Sequence, residues 1–286
     1  MFNPIILYEF GKTRKQFVST WKTDNTSAGS STTTQVKLPL VSNGTYNMRV
    51  DWGDGTSNII TVWNAAATTH TYSIAGTYTI KISGTCNGWS FSLTGDRLKI
   101  LTITEWGVLK LTNYVSHFSG CANLTLTTVK DIIDLSLCTS MFQTFYSCTS
   151  ITTINRISEW NVSSITSMQL TFFSCTLFNQ NIGSWNTALV TNMSYMFYNA
   201  TAFNQNIGSW NISNVTSFTS FLLSKTPATF SIANLDAIYN GWSALPSVKP
   251  SIVITFGTAK YTAASTAGRA ILTGAPNNWA ITDGGL

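Results

Sequence analysis

Five cysteines, two histidines and a thin scatter of carboxylates are the side chains through which this 286-residue chain could do chemistry. Asp51 and Asp54 stand in Val50-Asp51-Trp52-Gly53-Asp54-Gly55-Thr56, with His70 further on. Two acids so close could hold calcium or act as an acid-base pair, but an EF-hand loop needs further oxygen ligands in sequence and none follows. Asp54-Gly55 is favoured as a tight-turn pair, because glycine accepts positive φ and the aspartate can cap the turn's own amides. His70 has no second histidine nearby and reads as a structural histidine rather than a ligand. Glu105 and Glu159 precede Trp106 and Trp160 in the same register, and neither has a nucleophile or second carboxylate beside it in sequence. Cys86, Cys121, Cys138, Cys148 and Cys175 contain no CxxC pair, and an odd count argues against a secreted disulfide framework. There is no phosphate loop and no nucleophile elbow. The expectation is therefore no enzyme, with no catalytic, metal-binding or cofactor-binding residue.

The elements that must position these residues are set by a repeat. Trp160-Asn161-Val162, Trp185-Asn186-Thr187 and Trp210-Asn211-Ile212 open copies 25 residues apart, and FNQNIGSW occurs from Phe178 and again from Phe203. Steps of 27 back from Trp160 reach Ile133 and Trp106, so five copies are anchored at 106, 133, 160, 185 and 210. Phe118, Phe145, Phe172 and Phe197 each lie 12 past an anchor, and Cys121, Cys148 and Cys175 each lie 15 past, where the fourth copy has Ala200. Free thiols pack as small hydrophobes, so alanine at the same place marks these cysteines as core. A unit this short cannot bury a core alone and must find its apolar partners above and below, as in a solenoid. Trp106, Trp160, Trp185, Trp210, Phe172 and Phe197 are expected in that core. Val190, Met193, Phe197 and Ala200 fall at i, i+3, i+7 and i+10, which predicts a short helical stripe, and FNQNIGSW predicts a strand and turn.

Only 9% of residues are charged, against about 25% in an average soluble domain. From Trp160 to Ser224 there is no Asp, Glu, Lys or Arg at all. A charge repeated in near-identical stacked copies would face its own image about 5 Å away, and neutral amides avoid that repulsion. Asn161, Asn186 and Asn211, and Asn179 with Asn204, can form amide ladders between copies, and satisfaction of turn backbone is favoured for them over ligand contact. Gln180, Asn181, Gln205 and Asn206 are the candidate ligand-binding residues. A net charge of +5 with no block of like charges gives no nucleic-acid footprint. No apolar run approaches the roughly 18 residues needed to cross a bilayer, so no membrane insertion is expected. Glu9, Lys12 and Arg14 stand where a secretory apolar core would be, so no export signal is expected, unless a leader has been replaced.

Residues 17–84 read as strands in FVSTWKT, TQVKLPLV, YNMRVDW, NIITVW and GTYTIKIS, separated by Gly, Ser and Asn turns. The WGDG turn, His70-Thr71-Tyr72 and Gly76-Thr77-Tyr78 together resemble the polycystic-kidney-disease-type (PKD) domain. That resemblance implies an immunoglobulin-like sandwich used as an extracellular spacer or interaction module, with no catalytic site. FxxC, WNxSxVTxM and FNQNIGSW resemble BspA-type leucine-rich repeats of bacterial surface proteins and of phages carrying related modules. That implies a surface protein that binds proteins, matrix or glycans. Tyr261, Ala264, Arg269, Leu272 and Thr273, followed by WAITDGG, resemble the segment that closes such arrays.

The expected fold is thus mostly β with short helices: an N-terminal arm (1–16), a PKD-type Ig-like β-sandwich (17–84), a connector and first-coil cap (85–105), a leucine-rich-repeat solenoid (106–223) and a C-terminal α/β cap (224–286). Helices are expected from Asn234 to Trp242 and from Thr262 to Leu272, with strands at 251–256 and 279–282. The expected role is a virion surface or fibre-like component of a phage. It would contact other virion proteins through its N-terminal region and attach to a host surface protein or glycan, with a homo-oligomer among the expected partners. The alternatives are a bacterial cell-surface adhesin and, more remotely, a glycan-cleaving enzyme using Glu105 and Glu159.

Overall fold

The computed structural model describes residues 15–286; the expected N-terminal arm, with Lys12 and Arg14, lies almost wholly outside the described residues. The chain is mostly β with few, short helices and open sheets.

Alternation of apolar and polar residues builds the first sheet. β1 (Phe17–Lys22) buries Phe17, Ser19 and Trp21 on one face, and β3 (Thr45–Asp51) buries Tyr46, Met48 and Val50. Between them in sequence lies β2 (Gln35–Lys37); after them come β4 (Ser57–Ile60), β5 (Thr69–Thr71) and the long β6 (Thr77–Asn87). The sheet order is β4-β3-β6-β1-β7, where β7 is Ile100–Glu105, while β2 and β5 form a separate antiparallel pair. The boundary drawn at residue 84 falls inside β6, and β7 from the connector pairs directly with β1.

The first sheet runs on into the repeats through a change of direction. The end of β6 pairs in parallel with β8 (Leu109–Thr112), which pairs in parallel with β9 (Asp134–Leu137). Beyond it, single parallel bridges link Ser140, Ser167, Asn192 and Ser217, each seven past its anchor. The N–H groups of Thr166, Thr191 and Thr216 donate to the carbonyls of Thr139, Thr166 and Thr191 at 2.7–2.8 Å. Each repeat therefore lies on its neighbour in register.

The predicted helical stripe is not helical. Residues 10 past each anchor, Ser116, Gln143, Leu170, Tyr195 and Ser220, have positive φ, as do Gly120, Ser147, Ser174 and Asn199 at 14 past. A left-handed residue every fourth position ends a right-handed helix before it can propagate. The amides divide their bonding instead. Gln143, Phe145 and Ser147 donate across to the carbonyls of Gln169, Thr171 and Phe173, while Thr144, Tyr146 and Cys148 donate back three residues along their own copy. Nor does FNQNIGSW form a strand; it is loop and turn in both copies. The side chains of Asn161, Asn186 and Asn211 make no ladder with one another. Each Oδ1 accepts the N–H two residues on, closing its own turn.

Aromatic columns fill the space inside the stack. Phe118, Phe145, Phe172 and Phe197 lie face to face with centroids 5.7–5.9 Å apart and ring planes within 8°. The indole N–H groups of Trp185 and Trp210 donate to the carbonyls of Ile157 and Ile182 in the copy before. Ile133 replaces tryptophan in the second copy, and Trp106 and Trp160 meet edge to face there. The thiols of Cys148 and Cys175 donate to Phe118 and Phe145 carbonyls at 2.9–3.0 Å.

The last copy is closed by α1 (Ile232–Ser243), β10 (Val253–Thr255), α2 (Thr266–Thr273) and β11 (Ala280–Thr282). Trp242 on α1 continues the indole series by donating to the Ile207 carbonyl, and Ile254 on β10 bridges Phe218. α1 comes close because Gly208 and Gly241 meet backbone to backbone; a Cβ on Gly241 would lie 2.0 Å from the Gly208 carbonyl oxygen. Lys225 stands at the cysteine position of the final copy, where its buried Nζ donates to the carbonyls of Ala200 and Thr201. Arg269 pairs with Asp283 at 2.7 Å and lies over Tyr261, drawing together the residues of the closing motif. Among the described residues no helix is long and apolar enough to cross a membrane.

Phe172 is wholly buried within its column, so Phe172→Ala is expected to cost about 3–5 kcal/mol, whereas Cys175→Ala is expected to cost roughly 1 kcal/mol. Urea denaturation of the two variants checks the contrast, and equal losses would refute the columnar core.

Candidate functional site

The repeats place Asn181, Gln205 and Asn206 around one shallow depression of about 460 Å3, together with Gly183, Ser184 and Ser209. Gln180 lies beside it, its amide 3.4–3.5 Å from the Asn179 carbonyl and the Thr153 hydroxyl. Two serines of this depression were not singled out from sequence, although both belong to the repeated IGSW segment.

Much of this polarity serves the stack. Asn181 Oδ1 accepts from Gly183 N–H and Asn206 Oδ1 from Gly208 N–H. Ser184 and Ser209 donate to the carbonyls of Ser158 and Gly183 in the preceding copy. Asn179 Oδ1 accepts from Asn204 N–H and from the Gln205 amide at 2.7–2.9 Å, while Asn204 Oδ1 accepts from Ser231 N–H and the Asn234 amide, so the two asparagine side chains make no ladder with each other. The groups left facing outward are amide N–H donors and an amide oxygen, with no charge. Such a surface can hydrogen-bond a neutral ligand and offers no acid, base or nucleophile.

The carboxylates flagged in sequence are held apart. Asp51 Oδ1 accepts from Gly53 N–H. Asp54 accepts from Thr56 N–H and hydroxyl through one oxygen and meets His70 Nε2 at 2.7 Å through the other. Burial raises the Asp54 pKa, but the bonds from Thr56 and His70 outweigh it and hold the carboxyl at about 2. His70 stacks on Trp52 at 4.7 Å, and Tyr72 donates to the Trp52 carbonyl. The three motif elements thus pack into one turn cluster. Among the described residues no three of His, Cys, Asp and Glu gather as a metal site.

Glu105 faces Lys130 at 3.5 Å and Glu159 faces Arg156 at 2.7 Å. Asp134, not flagged in sequence, shares a depression of about 360 Å3 with Glu159 and pairs with Lys110 at 2.9 Å. The hydrogen bond from Arg156 lowers the Glu159 pKa. At Asp134 burial is outweighed by bonds from Ser136 and Lys110, so that carboxyl is lowered too. A glycosidase acid must keep its proton near neutrality, and neither group is placed to do so.

All five cysteines are free and buried. Burial pushes Cys86 and Cys175 up to about 12 and Cys138 to about 11, and raises Cys121 and Cys148 as well. These thiols are therefore poor nucleophiles and poor metal ligands. His117 is also wholly buried, and nothing in the sequence distinguishes it. Its Nε2 donates to the Thr112 carbonyl at 3.1 Å, so Nδ1 accepts from the Thr144 hydroxyl at 3.2 Å. Burial depresses its pKa to about 4.

Residues 112–235 match the model of a family described as a Mycoplasma protein of unknown function, DUF285. No curated protein and no solved structure matches the chain.

Two outcomes follow from the buried groups. The folded protein is expected to leave all five thiols unmodified by a disulfide reagent such as DTNB, with five released in guanidinium; rapid native labelling would contradict the burial. The unfolded chain binds a proton at His117 near the ordinary 6.5 whereas the folded protein does so near 4, so stability falls as pH drops through that interval, by about 3 kcal/mol in all. Denaturation at pH 7 and pH 4 measures the loss, and His117→Asn is expected to remove that share of it.

Proposed function

We propose that this chain is a non-enzymatic surface-interaction protein, a virion component of a phage, that mediates attachment to a host protein or glycan. In this proposal the N-terminal strands are a PKD-type, Ig-like sandwich, and the stacked copies from about 106 to 223 are a BspA-type leucine-rich-repeat solenoid with an α/β cap behind it. The observation that carries it is the repeat surface: an ordered array of uncharged amide and hydroxyl groups, fixed by inter-copy hydrogen bonds and facing solvent. A polar array held by two adjacent copies suits weak contacts multiplied across many chains, because linked weak sites gain affinity through effective concentration.

Five unpaired, buried thiols suit a protein that folds in a reducing cytoplasm and reaches the outside by assembly and lysis. Carboxylates tied to cations, with lowered pKa values, favour a binding role over glycan cleavage. A second reading, a bacterial cell-surface adhesin, is favoured by the family match, whose description names a bacterial source.

One fractionation separates the two. Immunogold labelling and mass spectrometry of purified particles are expected to find the chain on the virion exterior. Its recovery from the envelope of uninfected cells would transfer the assignment to the adhesin, and hydrolysis of host polysaccharide abolished by Glu159→Gln would overturn both.

A further inference from the structure

We infer that the cleft formed by the 29–40, 63–69 and 90–96 segments is a saccharide-binding site, with Trp63 as the platform on which a pyranose ring stacks. Its purpose rests on the attachment role proposed above, and it names a ligand class and a place for it.

Nine of the ten tryptophans are buried to 4% exposure or less, each inside a core. Trp63 is the exception at 45% exposed, and among the described residues no other aromatic ring covers it. It lies in the turn after β4 and lines a cleft of about 480 Å3, within the range of small-molecule sites. The opposite wall is the 90–96 segment, which is fixed to both sides. Ser90 N–H donates to the Pro39 carbonyl, and Phe91 N–H donates to His117 in the first repeat.

The polar lining includes Asn64, Thr69, Ser90 and Thr94; the Ser90 and Thr94 hydroxyls already donate to the Val115 and Phe91 carbonyls and keep lone pairs to accept with. These amide and hydroxyl groups suit the hydroxyls of a sugar, while the indole face suits its axial C–H surface. Lys37 and Asp96 are the charged residues of the lining. Asp96 accepts from Ser31 N–H, the Ser31 hydroxyl and Lys37 N–H, and faces the buried Lys99 at 3.5 Å. Lys99 in turn donates to the carbonyls of Ser31, Thr32 and Gln35. This closed network makes the floor rigid and leaves the carboxylate no open position for a cation.

The half-buried rings of the repeats offer no equivalent. Tyr146, Phe173 and Tyr198 lie face to face at 4.6 and 4.9 Å, which covers both faces of Phe173 and one face of each tyrosine.

Because Trp63 is the exposed indole, acrylamide quenching of tryptophan fluorescence reports on it. The methyl glycosides of glucose, galactose, mannose and N-acetylglucosamine are the probes. At least one is expected to protect the fluorescence from quenching. Calorimetric titration of that glycoside is expected to show Trp63→Ala binding weakened by about tenfold or more, and Asn64→Ala weakened less, with unfolding midpoints unchanged. The inference falls if none of the four protects Trp63, or if binding survives Trp63→Ala undiminished. Adhesion of the full chain to host cells is scored separately. Adhesion without glycoside binding overturns the cleft and leaves attachment standing; glycoside binding lost in Trp63→Ala, without adhesion, keeps the cleft and overturns attachment.

Discussion

Register between successive copies is the constraint on which the molecule depends. Each copy satisfies about half the amides of its turn segment internally and sends the rest to the carbonyls of the next copy, so no copy is complete without a neighbour. Buried backbone groups left without a partner are costly, and only in-register stacking provides those partners. The face-to-face phenylalanines, the indole N–H bonds and the thiol bonds all repeat along the same axis. A change at one position is therefore felt as a change of spacing between copies.

The same register dictates what the surface can be. Groups at equivalent positions meet their own images at the spacing of neighbouring strands, where like charges repel and amides and hydroxyls can bond. That explains a stretch of 65 residues, Trp160 to Ser224, with no charged side chain, and it fixes the kind of ligand such a surface can address. Charge returns where copies stop being alike. Lys110 with Asp134, Glu105 with Lys130 and Arg156 with Glu159 lie in the early copies, and Lys225 and Arg269 with Asp283 lie at the closing end.

Both ends of the stack are closed by continuing it. At the start, β6 turns from antiparallel neighbours to the parallel partner β8, so the first copy grows on an existing sheet. At the far end Trp242 and Ile254 occupy the next places in the indole series and the bridge series, borne by a helix and a strand of different sequence. The Gly208 and Gly241 contact lets that helix sit close enough for Trp242 to reach. The cleft beside Trp63 lies away from both ends of the stack, among the 29–40, 63–69 and 90–96 segments of the N-terminal part.

The strands of residues 17–84, the copy spacing, the buried positions and the two closing helices were legible in the chain, because each is written as a local alternation, a repeated residue or an apolar period. The Asp54-Gly55 turn was legible too, whereas the meeting of Asp54 with His70, and of His70 with Trp52, belongs to the folded chain. The conformation inside each copy was not legible. Val190, Met193, Phe197 and Ala200 have a spacing shared by a helix and by a ribbon of turns with a left-handed residue every fourth position. The target of each amide decides between them, and that target lies 25 or 27 residues away. For the same reason the neutralised Asp134, the buried His117 and the cleft at Trp63 came only from the assembled chain. Burial, charge pairing and concavity are properties of surfaces brought together by folding, which no local stretch of sequence contains.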